Sequence, residues 1–125
     1  MTELEFKVRT KQIALRVLKL VDSLPNSSIA SHVGKQLFRS GTSIGANYRA
    51  ACRGKSRADV IHKLSIVEEE ADESLYWLEV LADTRLVKET KLAALSNDIS
   101  EILAMTVASI KTLRRNKSTN PKSKI

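Results

Sequence analysis

Lys35, Arg39, Arg49 and Arg53 recur at intervals that put all four on one side of a helix. At about 100° per residue they fall within a sector of roughly 80°, with the small residues Thr42 and Ala46 between them. Bases in that arrangement suit phosphate recognition, where neutralised charge and released counterions supply the binding energy. An ordinary solvated face interleaves both signs of charge, yet residues 29–57 contain no acid, so polyanion contact is the favoured reading. Lys55 and Arg57 extend the charge past the end of this stripe. No aromatic lines it, because Tyr48 turns to the apolar side, and phosphates are therefore a better target than bases. Arg114 and Arg115, with Lys111, Lys117, Lys122 and Lys124, form a second cluster that either adds to this contact or complements a helix dipole.

Other chemistry is weaker. Gly54-Lys55-Ser56 resembles the end of a phosphate-binding P-loop, but the earlier glycine is replaced by Arg49 and a helix precedes it where a strand is needed. Asp59-x-x-His62 is half of one di-metal motif, and both residues project away from the apolar face. Cys52 has no histidine and acid at a nucleophile's spacing and is expected to be a buried thiol. The run Glu68-Glu69-Glu70 with Asp72 and Glu73 points around a helix circumference, so it reads as a solvated face, apart from Glu68, which borders the core and is placed to pair with a base. No catalytic residue, metal ligand or cofactor site is expected, and the chain reads as non-enzymatic.

These residues need helices to position them. The 125-residue length suits one domain with its own core. One cysteine allows no internal disulfide, no apolar run is long enough to span a membrane, and Glu3, Glu5, Lys7 and Arg9 stand where a signal peptide needs apolar residues. A cytoplasmic location is therefore expected. Charge is uneven: residues 58–83 hold eight acids against one base, net −7, and the remainder holds twenty bases against six acids, net +14.

Sparse glycine and proline divide the chain into helices at about 3–21, 29–53, 57–83 and 89–116, followed by a basic disordered tail at 118–125, so that the bundle domain spans 1–117. Ser56 and Asp59 form a variant capping box for the third helix. Each helix has an apolar stripe: Phe6, Ile13, Val17 and Leu20; Val33, Leu37, Ile44 and Ala51; Val60, Leu64, Val67, Ala71, Leu75 and Leu78; and Leu92, Leu95, Ile99, Ile102, Leu103, Ile110 and Leu113. The fold predicted is an all-α, up-down-up-down antiparallel four-helix bundle. Gly34, Gly41, Gly45 and Cys52 make a lane of small side chains beside the second core stripe, read first as close helix packing within the bundle and second as a subunit contact. Leu4, Val8 and Leu15 on the first helix, and Ile66 and Trp77 on the third, lie off the core stripes and are the candidate oligomer interface.

The run Arg39-Ser40-Gly41-Thr42-Ser43-Ile44-Gly45-Ala46-Asn47, followed by Leu64-Ser65-Ile66-Val67-Glu68-Glu69 and Glu73-Ser74-Leu75-Tyr76-Trp77-Leu78, resembles the bacterial four-helix-bundle family of 23S ribosomal RNA intervening-sequence proteins. It is also similar to the related accessory variability determinants of diversity-generating retroelements. The likeness covers about residues 6–113 and departs at Tyr48-Arg49-Ala50-Ala51, where many members have an apolar residue, alanine, glutamate and glycine. It implies a ring-like homopentamer without enzymatic activity, associated with RNA or a nucleic-acid-handling complex. The function expected is an oligomeric module that meets RNA or DNA through its basic helix face. The alternative is a protein scaffold or adaptor with no direct nucleic-acid contact, its acidic helix docking a basic partner.

Overall fold

The computed structural model describes residues 1–116. The expected tail at 118–125, with Lys122 and Lys124, lies outside them, as does Lys117. Four helices follow in order: α1 (Glu3–Asp22), α2 (Ser28–Cys52), α3 (Arg57–Asp83) and α4 (Glu89–Arg115). Local chemistry sets most of the starts. Thr2 and Glu5 form a reciprocal capping box on α1, and Ser27 caps α2 by accepting from the Ala30 amide. Ser56 accepts from the Asp59 amide, as a capping box requires, but the Asp59 carboxylate returns its bond to the Lys55 amide at 3.0 Å, one residue beyond the cap. That bond, ahead of the Lys63 charge, holds the Asp59 carboxyl below its usual range.

Consecutive helices pack side by side, and α4 returns to α1, with sparser contact there than at the other three seams. The result is the antiparallel bundle the periodicities predict. The α1–α4 seam is closed by charge: Arg9 reaches Glu101 at 2.8 Å and Asp98 at 3.5 Å, and Arg16 also pairs with Asp98. The core stripes are buried, with Ile13, Val17, Leu37, Ile44, Leu64, Leu78, Ile99 and Leu113 at or near zero exposure. Leu20, Leu75 and Leu103 sit at the margin and are only partly buried. Tyr48 is buried and stacks on Phe6 with ring centroids 4.1 Å apart.

The small-residue lane lies against α1, which decides for packing within the bundle. A Cβ on Gly41 would stand 2.8 Å from Val17 Cγ1 and Cγ2, and one on Gly45 would stand 3.1 Å from Thr10 Oγ1. Glycine costs about 1 kcal/mol in a helix interior, and here it lets two backbones approach where a side chain would hold them apart.

Candidate nucleic-acid interface

The tertiary structure takes the basic stripe of α2 apart. Arg39 leans toward α3, where one guanidinium nitrogen donates to both Glu70 oxygens at 2.9 and 3.1 Å and the other pairs with Glu73. These bonds, Glu73 first, raise the Arg39 pKa further. Glu73 also accepts from Trp77 Nε1 at 3.1 Å, and that bond, ahead of Arg39, holds its carboxyl below the usual range. Arg39 is thus part of the clamp between α2 and α3, where the buried Ser40 and Ser74 hydroxyls also hydrogen-bond at 2.9 Å. The wheel of α2 places Arg39 among the phosphate contacts; in the structure two carboxylates of α3 engage its half-exposed guanidinium. They correct the expectation for Glu68, since Glu70 and Glu73 take the base.

Arg49 faces the other way. With Lys7 and Lys11 of α1 it borders a groove of about 220 Å³ whose floor includes Ala14, Gly45 and Ala46. Small residues let α1 and α2 approach closely, so bases from two helices border one open groove. Lys7 lies 3.5 Å from Glu3 within its own helix, an exposed pair of little energetic weight. Sequence alone does not single out Lys7 and Lys11, because only the pairing of α1 with α2 brings them beside Arg49; their spacing of four residues on one flank is the signal it offers.

At the same end of the bundle, antiparallel topology gathers the C-termini of α2 and α4 with the N-terminus of α3. Arg53 and Lys55 share an open cleft there with Asp59 and Lys63, which pair at 3.7 Å. Arg57 is half-buried at the first position of α3, and Arg114 and Arg115 are exposed in the last turn of α4. Lys35 stands apart at the far end, on a groove it shares with Phe38 and Leu24. The basic surface is therefore a seam that runs into a basic bundle end.

The predicted oligomer patches also divide. Leu4, Val8 and Leu15 are exposed at 70%, 48% and 55%. Ile66 is half-buried, and Trp77 packs against the core with its indole nitrogen bound, its ring meeting His32 and Tyr76 edge-on. The exposed aromatic of α3 is Tyr76, not Trp77; Ile29 and Phe38 are further exposed apolar residues that the wheels did not single out. Cys52 is buried, and burial pushes its thiol pKa up, the reverse of an activated nucleophile. Among the described residues no group of three potential metal ligands occurs, and no helix is long and apolar enough to cross a membrane.

The fold defines a class, the all-α four-helix bundle with sequential helix packing. Residues 2–108 match the family described as 23S rRNA-intervening sequence protein, and the chain belongs to that family. A solved protein of unknown function from the S23 ribosomal protein family of Bacteroides thetaiotaomicron is similar to it at 39% identity, over 89% of this chain and 99% of that chain, with a TM-score of 0.82. No curated protein matches.

Proposed function

We propose that this protein is a non-enzymatic module that associates with nucleic acid through phosphate contacts at the α1–α2 seam. The observation that carries the reading is the convergence of Lys7, Lys11 and Arg49 from two helices on one groove with a small-residue floor. Arg53, Lys55, Arg57, Arg114 and Arg115 continue the positive surface around the adjoining end. A name that refers to an insertion within ribosomal RNA makes RNA the first polymer to try. With no exposed aromatic bordering the groove, contact is sequence-tolerant and salt-sensitive.

Self-association belongs to the same reading. Leu4, Val8 and Leu15 line the outer face of α1, away from the core, and repetition of weak phosphate contacts around an oligomer multiplies their effect. The family resemblance implies five copies. Light scattering tests this directly, and a monomer at working concentration would remove it. For nucleic acid, fluorescence anisotropy with labelled RNAs of unrelated sequence over a salt series is the test. Similar affinities that fall steeply with salt are expected, weakened together by K11E/R49E. No binding at low salt would overturn the proposal.

A further inference from the structure

The seam diametrically opposite the basic groove has the reverse character. Between the C-terminal half of α3 and the N-terminal half of α4 lies a groove of about 440 Å³. The half-buried Leu75 and Ala82 and the buried Leu92 form its floor, and the exposed Glu79 and Asp83 of α3 and Glu89 of α4 also line it. We infer that this groove docks a lysine- or arginine-rich amphipathic segment of another protein.

The charges themselves argue for an outside partner. Arg39 engages Glu70 and Glu73, Lys63 engages Asp59, and Arg9 engages Asp98 and Glu101. Among the described residues no ion pair involves Glu79, Asp83 or Glu89. Moreover, Asp83 ends α3 and Glu79 lies one turn earlier, while the last turn of that helix contains no base. Carboxylates are the charges that a helix C-terminus disfavours, so the fold retains them against its own dipole. A cation brought by a partner relieves that cost.

The groove's floor narrows the chemistry. A divalent ion needs clustered ligands, and no such group is present among the described residues. A nucleic acid would set its phosphates against three carboxylates. A wholly apolar helix would leave the rim uncompensated. A basic amphipathic helix satisfies both parts, its apolar residues on the leucine floor and its lysine or arginine heads at the rim with their aliphatic stems along the walls. The two seams would then let one bundle hold a polyanion on one side and a basic protein on the other.

The test uses the full chain and a fluorescein-labelled peptide with leucine at each a and d position and lysine elsewhere. Anisotropy at low salt should show saturable binding that is lost for the counterpart with glutamate in place of lysine and weak for oligolysine without leucine. E79K/D83K should weaken it by about tenfold or more, since each exposed pair is exchanged for a repulsion. A93W, which fills the groove without altering charge, should weaken it as well, whereas K11E/R49E should leave it unchanged. That last control keeps this inference separate from nucleic-acid binding. Equal binding of oligolysine, indifference to both groove variants, or a fall in particle mass on adding peptide would overturn it, the last by making the groove a contact between copies of the chain.

Discussion

The α1–α2 and α3–α4 seams are built from the same kind of amphipathic helix, yet they differ in floor and in rim. On the first, glycine and alanine let two helices approach until a Cβ on Gly41 would strike Val17, and lysine and arginine from both border the channel. On the second, leucines form the floor and carboxylates the rim. Small residues on the first seam draw the two helices together, whereas larger ones on the second leave a wider groove. The difference separates tight packing, which tolerates no added volume, from an open groove that does.

The largest expected effect tests that separation. G41L forces a side chain into the space held by Val17 and should cost about 2–3 kcal/mol in urea denaturation, with α1 displaced. A93L, in the open α3–α4 groove, should stay within about 0.5 kcal/mol of the unmodified protein. Equal losses would show that the two seams are packed alike.

Next in size is the charge contrast. K11E/R49E should weaken RNA binding by roughly tenfold and lower the slope of log affinity against log salt by about 2. E79K/D83K should not weaken it. R39A should change RNA affinity little, since the guanidinium is engaged by α3, and a loss equal to that of K11E/R49E would restore the intact α2 stripe as the interface.

R39A should act instead on stability, by at most about 1 kcal/mol because the side chain is half exposed. Its pH dependence has a definite sign. The Glu73 carboxyl is lowered in the fold, by Trp77 first and Arg39 second, so its contribution is present above the unfolded carboxylate value of about 4.3 and is lost as pH falls through the lower folded value. Thermal melts across that acidic window should show a shallower pH dependence in R39A, while the bond from Trp77 preserves part of it. An unchanged profile would remove Arg39 from the clamp.

The smallest effect concerns the acidic rim alone. E79K/D83K places bases where the C-terminal dipole of α3 favours them and should stabilise the isolated protein by about 0.5 kcal/mol, read as a rise in melting temperature. A loss of stability would mean that these carboxylates have a structural role.

The helices and their inward faces are legible in the order of residues along each segment. Val60, Leu64, Val67, Ala71 and Leu78 are buried as their spacing requires, and the bounds of α3 match the predicted 57–83 because Ser56 and the turn after Asp83 act locally. Periodicity and capping are properties of a single segment. Which charges meet depends on how the four helices pack. A helical wheel gives the direction of Arg39 but not the carboxylates that α3 brings there, and it gives Lys11 and Arg49 separately but not their shared groove. Trp77, off its stripe by the wheel, became part of the core margin because α2 lies against that flank. Partner choice depends on the rotation and spacing of neighbouring helices, which side chains distant in sequence set together.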